Sequence, residues 1–135
     1  MSLALVQCML SVLFVLIVFK MILPAKNVEQ ITLSQLHERL QEEKGDTQFI
    51  DVRPRRQYEQ FHVFGFRNIP LKDLRRQATT LDKNKPIVTI CQTGAQGNRA
   101  CKRLKRYGFT QLANVRGGLS TWEPFYRKDT EGPDQ

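Results

Sequence analysis

The sequence predicts an α/β domain with a mostly parallel central sheet flanked by helices, preceded by one apolar helix. Short apolar runs typical of buried strands occur at residues 49–52, 87–90 and 112–115. Segments with helical spacing separate these runs, and strands that alternate with helices favour a parallel sheet covered on both faces. The N-terminal residues differ from all the others in composition, so they form a separate element.

The N-terminal segment, residues 3–23, is long and apolar enough to cross a membrane. Its clearly polar residues are Gln7, Ser11 and Lys20. At about 1.5 Å per residue it spans about 30 Å, the thickness of the hydrocarbon core. A cleaved signal peptide needs a basic start and a small-x-small cleavage site, and the sequence shows neither feature. We therefore predict a transmembrane helix over residues 1–23.

The distribution of charge predicts the orientation of this helix. Lys and Arg number 21 against 13 Asp and Glu, so the formal net charge is +8, and the positive charge lies on the C-terminal side. Basic flanks stay on the cytoplasmic side, so we expect a single-pass membrane protein whose C-terminal domain faces the cytoplasm. The anionic leaflet suits such a surface. Without a helix-turn-helix or RNA-binding aromatic motif, nucleic acid is not an expected partner.

The rest of the chain divides into a linker at residues 24–30, a domain at 31–127 and a polar, disordered tail at 128–135. Thr32 with Gln35 forms the pattern of a capping box at the start of the first helix of the domain. That helix is expected to end near Gly45. Short helices are predicted at 54–61, 72–78 and 119–125, and a brief strand at 67–69. A longer helix is predicted at 98–107, with its end at Gly108.

Cys91 lies in a pattern that is typical of a reactive thiol. It ends an apolar strand, and residues 92–97 separate it from a helical pattern. Gly94 and Gly97 remove side chains from this loop, so that backbone N–H groups can converge on one point. The N-terminus of the following helix points back at the loop. Both features favour the thiolate, which is the nucleophilic form.

The other two cysteines have different predicted roles. Cys101 shares an apolar helical stripe with Ala100 and Leu104, so we expect it to pack in the core, with a resolving thiol for Cys91 as the alternative. Cys8 lies inside the apolar segment. Three cysteines cannot form a disulfide framework, and no C-x-x-C pair predicts a metal site. The sequence indicates a reducing compartment, with no metal and no cofactor.

Several motifs in this order resemble the rhodanese-like domain, over about residues 31–126. The resemblance includes a first signature, an active-site strand with its loop, and a closing signature. These motifs are residues 49–53 with Tyr58, His62, Gly65 and 68–70; residues 87–94; and residues 107–109 with Val115, Gly117, Gly118 and Trp122.

The resemblance implies a three-layer fold and a sulfurtransferase. In that family a cysteine takes sulfane sulfur from a donor such as thiosulfate and holds it as a persulfide. A thiophilic acceptor, such as cyanide, a thiol or a protein cysteine, then removes the sulfur. Cys91 matches this cysteine, and Asp51, Arg53 and Arg99 are candidate supporting residues, the first two as a structural ion pair. The loop that matches the substrate-binding loop consists of Gln92, Thr93, Gly94, Ala95, Gln96 and Gly97.

The loop departs from the family pattern in its charge. Many members carry Arg five places after the cysteine, where this chain has Gln96, and Gln92 replaces another frequent Arg. A related phosphatase family needs Arg six places after its cysteine, and Gly97 at that place argues against phosphate chemistry. The alternative to a sulfurtransferase is a non-catalytic rhodanese-like module that binds a partner or senses oxidants through Cys91.

Overall fold

The structure, a computed structural model, describes residues 2–23, 26–42 and 46–121. Helices and strands alternate along the chain after a long N-terminal helix, as the sequence predicts. In chain order the elements are α1 (Leu3–Ile22), β1 (Glu29–Ile31), α2 (Leu33–Glu42), β2 (Gln48–Asp51), α3 (Arg55–Gln60), β3 (Arg67–Asn68), α4 (Leu74–Gln77), β4 (Ile87–Ile90), α5 (Ala95–Arg106) and β5 (Leu112–Val115).

The five strands form one parallel sheet in the order β1-β5-β4-β2-β3. Every residue of β4 and β5 is buried, because apolar side chains cover both faces of the sheet. The core on one face includes residues of α4 and α5, and the core on the other face includes α2 and Val63 with Phe66. The predicted three-layer α/β fold with a parallel sheet is confirmed.

The α1 helix carries its apolar side chains on the outside along its whole length. Its most apolar stretch of 18 residues has a mean hydropathy of 2.5, and none of these residues is buried. The Ser11 hydroxyl donates a 2.9 Å hydrogen bond to the Gln7 carbonyl, so one of its few polar groups is satisfied within the helix. By length and composition α1 meets the requirement for a membrane span, which a signal sequence near the N-terminus also meets.

The edge strand β1 is an element that the sequence analysis did not predict. The sequence predicts a linker at residues 24–30, whereas Glu29–Ile31 pairs with β5 in parallel. The strand is only three residues long and fully buries only Ile31, so it lacks a periodic apolar pattern. Directly after it, the predicted capping box is present. The Thr32 N–H donates to Gln35 Oε1 (2.9 Å), and the Gln35 N–H donates to Thr32 Oγ1 (3.3 Å).

The α5 helix begins three residues earlier than the sequence predicts. We expected its first residue at Asn98, whereas the helix starts at Ala95, with Gly94 as its N-cap. Gly94 has a φ of 97°, a left-handed conformation that glycine adopts at little cost. Gly97 therefore lies inside the first turn of α5. Intrinsic propensity disfavours glycine within a helix, and tertiary packing overrides that preference here.

Some predictions fall outside the residues that the structure describes. They concern the helix end at Gly45, Trp122 of the closing signature and the tail at 128–135. The predicted helix at 119–125 lies partly outside as well, and its described part belongs to a 3₁₀ turn, Gly118–Thr121.

A buried ion pair ties the end of β2 to the end of α3. Asp51 and Arg53 are 0% and 4% exposed, and Arg53 Nη2 lies 2.8 Å from Asp51 Oδ2. Arg53 Nε lies 3.1 Å from both carboxylate oxygens, and Nη2 also donates to the Phe61 carbonyl at 2.6 Å. The predicted pairing of these two residues is therefore present, and it shapes the chain next to the carboxyl ends of the strands.

We expect Arg53→Ala to lower the free energy of unfolding by about 3–5 kcal/mol, because it leaves the Asp51 carboxylate buried without its counter-charge. Urea unfolding of the full chain in detergent, followed by circular dichroism, measures this change. Arg55→Ala is the matched control, since Arg55 pairs with Glu59 on the surface. It should cost less than about 1 kcal/mol. Equal losses in the two variants would contradict the assigned role of the buried pair.

Candidate active site

Cys91 directly follows β4, at the carboxyl edge of the parallel sheet, and is 1% exposed. Its backbone is held from outside the strand, because the Leu119 N–H donates to the Cys91 carbonyl at 2.8 Å. Gly118 makes this approach possible. A Cβ at position 118 would overlap the Cys91 carbonyl oxygen, and the φ of Gly118 is 56°. The two glycines at 117–118 thus let a 3₁₀ turn pack directly on the cysteine backbone.

Two backbone N–H groups point at the sulfur of Cys91. The Gly94 N–H lies 3.0 Å from Sγ, and the Gly97 N–H lies 3.3 Å from it. Both belong to the start of α5, a helix of 12 residues, so the positive end of the helix dipole adds to their effect. Hydrogen bonds to an ionised acceptor are stronger than those between neutral groups. The arrangement therefore favours negative charge at this sulfur.

The six loop residues that the sequence analysis selected divide into two groups. Gly94 and Gly97 contact Sγ through their N–H groups, and both are buried. The other four form an exposed rim around the sulfur; they are Gln92, Thr93, Ala95 and Gln96.

The three predicted supporting residues do not join the loop in a single cluster. Asp51 and Arg53 bond to each other, and the contacts of Arg53 go to Asp51 and to the Phe61 carbonyl. Arg99 is exposed on the second turn of α5 and forms no ion pair with any described residue. Arg99 lines the cavity beside Gly94, so its charge adds to the positive potential near the loop.

Asn114 is a site residue that the sequence analysis missed. It is fully buried in β5, and its Nδ2 donates to the Gly94 carbonyl and to Asn98 Oδ1, both at 3.1 Å. Its Oδ1 accepts from the Thr89 hydroxyl at 3.1 Å. The side chain thus holds the carbonyl of Gly94, the residue whose own N–H faces the sulfur. A signal was present, because an Asn or Thr inside a fully buried strand needs hydrogen-bond partners.

Gly97 is required by close packing rather than by backbone freedom. A Cβ at this position would overlap Asn114 Oδ1 and would lie 3.2 Å from Thr89 Oγ1. The absence of a side chain lets the first turn of α5 approach β4 and β5. That approach brings the Gly97 N–H within reach of Cys91.

Cys101 differs from Cys91 in its surroundings, and its predicted core-packing role is confirmed. It is fully buried with Ala100 and Leu104, and its Sγ lies 3.2 Å from Thr89 Oγ1. Burial raises the pKa of Cys101 to about 11; the nearby Cys91 adds to this rise, and the hydrogen bond with Thr89 opposes it. The thiol is therefore protonated and unreactive at neutral pH.

Two cavities flank the loop. One, of about 380 Å³, lies on the Gln96 side and brings two cations to the site, Lys72 and Arg103. Arg103 Nη1 donates to the Leu71 carbonyl at 3.0 Å, so this guanidinium is held in place. The other cavity, of about 790 Å³, lies beside Gly94 and includes residues from the last turns of α1. Residues 92–97 carry no charged side chain, so the positive charge beside the loop comes from Lys72 and Arg103, which lie outside it.

Comparison with known proteins shows which family the chain belongs to. A sequence model of the rhodanese-like domain matches residues 32–124. The chain belongs to the rhodanese-like domain family. It is similar to the uncharacterized protein YqhL of Bacillus subtilis, 36% identical over 75 residues, a match that covers 56% of this chain and 60% of that protein. It is also similar to the thiosulfate sulfurtransferase PspE of Escherichia coli, 41% identical over 73 residues, which are 53% of this chain and 69% of that protein.

A solved structure agrees with this assignment. The solution structure of a rhodanese-like domain from Anabaena superposes on this chain with a TM-score of 0.65 at 27% identity, covering 71% of this chain and 74% of that one. The rhodanese-like match covers β2 and β5, which contain Asp51 and Asn114, and also Cys91, which directly follows β4. The predicted membership of this family is confirmed.

Gly97→Ala should lower the free energy of unfolding by about 1–3 kcal/mol, because the added methyl group overpacks the contact with Asn114. The same change should slow alkylation of Cys91 by iodoacetamide, since it displaces one N–H from Sγ. Asn114→Ala in the same chain removes the overlapped atom, so the double variant should lose less stability than the two single changes together. Strictly additive losses would show that the two positions are not in contact.

The raised pKa of Cys101 predicts a loss of stability at alkaline pH. Between its ordinary value of 9.0 and about 11, the folded chain keeps the Cys101 proton and the unfolded chain does not. Unfolding then releases a proton, so stability falls as pH rises through this window. We expect the stability advantage of wild type over Cys101→Ala to shrink by about 1 kcal/mol between about pH 8 and about pH 10. Urea unfolding at both pH values measures this, and a constant advantage would contradict it.

Proposed function

We propose that this chain is a membrane-anchored sulfurtransferase that moves sulfane sulfur to a thiophilic acceptor through a persulfide on Cys91. The observation that carries the proposal is the convergence of the Gly94 and Gly97 N–H groups on Cys91 Sγ at the start of α5. The family supports sulfur transfer in general, and PspE is named as a thiosulfate sulfurtransferase. Thiosulfate is the donor that we test first.

The proposed reaction has two displacement steps at sulfur. The Cys91 thiolate attacks the outer sulfur of thiosulfate; a bond forms between the two sulfurs, and sulfite leaves with the electron pair of the broken S–S bond. An acceptor thiolate then attacks the outer sulfur of the persulfide and returns Cys91 to its thiolate form. Negative charge resides on sulfur in the attacking and in the persulfide forms. Preorganised N–H groups stabilise such charge without reorganising during the reaction.

Binding of an anionic donor needs positive charge that the loop itself lacks. We assign substrate binding to the loop at 92–97, in which Gln92 and Gln96 are neutral. Lys72 and Arg103 line the cavity beside Gln96 and supply that charge, and Arg99 adds to the potential from the second turn of α5. A small sulfane donor enters here, and the acceptor is a thiol or a protein cysteine.

The proposed arrangement of the chain follows from α1. Residues 1–23 form the membrane anchor, a short tether follows, and the rhodanese-like domain extends to about residue 127 on the cytoplasmic side. The exposed apolar surface of α1 supports the anchor, and the excess of positive charge after it supports the orientation.

Incubation of the full chain in detergent with thiosulfate should add the mass of one sulfur atom. Intact mass spectrometry measures this gain, which Cys91→Ser should abolish and which Cys8→Ser, the matched control, should retain. Cyanide should then remove the added sulfur as thiocyanate. If wild type gains no sulfur from any sulfane donor, the non-catalytic module that binds a partner or senses oxidants becomes the better description.

A further inference from the structure

The outward face of α5 carries five basic residues and no acidic one. They are Arg99, Lys102, Arg103, Lys105 and Arg106. None of the five forms an ion pair with any residue in the described part of the chain. Like charges three or four residues apart on a helix repel each other. The basic side chains of α5 therefore repel one another, and negative charge supplied by a binding partner would stabilise them.

The position of the anchor limits where this face can lie. Leu23, which directly follows α1, precedes Val28 by five residues, which span at most about 18 Å when extended. Val28 packs in the same core cluster as Ala100 and Leu104 of α5. The chain therefore enters the domain on the side that α5 covers, and α5 lies close to the end of the apolar helix.

Direct contacts join α5 to the residues that follow the apolar segment. Lys102 Nζ lies 3.1 Å from the Leu23 carbonyl, and Lys105 Nζ lies 3.1 Å from the Lys26 carbonyl. In the proposed function α1 spans a bilayer, so its C-terminal end lies at the lipid headgroups. Lys102 and Lys105, which contact the residues at that end, then lie at the depth of the headgroups as well.

We propose that the basic face of α5 binds the anionic phospholipid headgroups of the leaflet into which α1 emerges. The inference rests on the membrane anchor of the proposed function. Charge complementarity supports it, because basic residues next to a membrane span are attracted to an anionic surface. Lipid is a better candidate than nucleic acid, since the short connection keeps α5 at the bilayer. The contact fixes the domain against the membrane instead of leaving it free to rotate on its tether.

Chemical labelling of lysines in lipid nanodiscs tests this contact on the full chain. The chain is placed in discs of phosphatidylcholine alone or in discs that also contain phosphatidylglycerol, and uncharged acetyl-N-hydroxysuccinimide labels the accessible lysines. In anionic discs we expect labelling of Lys102 and Lys105 to fall about fivefold relative to neutral discs. Lys83 and Lys85, which are exposed outside α5, serve as internal controls and should not change.

Salt and charge variants sharpen the test. Raising the salt from 0.1 M to 1 M shortens the screening length from about 10 Å to about 3 Å, so the protection should disappear. Arg99→Gln with Arg106→Gln should reduce the protection of Lys102 and Lys105. The matched control, Arg56→Gln with Arg67→Gln, makes the same charge change on exposed residues toward the opposite edge of the sheet and should leave the protection intact.

Each result has a distinct meaning. The proposal is overturned if labelling falls equally at Lys102, Lys105 and the two control lysines, or if it falls at none of them. It is also overturned if added DNA in neutral discs protects Lys102 and Lys105 more strongly than anionic lipid does. A chain that does not co-elute with the discs overturns the anchor and this contact together. Sulfur transfer from thiosulfate is measured on the same discs by intact mass, so loss of the docking result with retained transfer leaves the catalytic part of the proposed function standing.

Discussion

The site depends on one close contact, the approach of the first turn of α5 to strands β4 and β5. Only glycine at position 97 permits this approach, because a methyl group there would overlap Asn114. The contact places the N–H groups of residues 94 and 97 against the sulfur of Cys91. Any change that moves the helix outward by even a fraction of an ångström weakens both hydrogen bonds together.

Buried polar side chains make this contact specific. Thr89 and Asn114 lie in otherwise apolar strands, and their hydrogen bonds reach the first turn of α5 and its N-cap, Gly94. The hydrogen bond from Asn114 to the Gly94 carbonyl anchors the N-cap residue of α5, whose own N–H lies 3.0 Å from the Cys91 sulfur.

The sequence predicted strands β2 to β5, the position of Cys91 at the end of β4 and the capping box, because each has a local pattern. It did not predict β1, whose three residues show no period and which forms only by pairing with β5. Asn114 was missed because its role is to contact residues 16 or more positions away. Gly97 was selected because it has no side chain, and the structure shows which atoms require this, Asn114 Oδ1 and Thr89 Oγ1.

The distribution of charge connects the chemistry to the membrane. With glutamine at positions 92 and 96, the loop contributes no charge, and the cations beside it are Lys72 and, on α5, Arg103, to which we assign donor binding in the proposed function. The same helix presents its remaining cations outward, next to the end of α1. One element thus places its N-terminus at the Cys91 sulfur and a basic surface along its side. Under the two proposals together, lipid headgroups that neutralise this surface also lower the positive potential around the sulfur, so we expect the bilayer to influence the rate of sulfur loading.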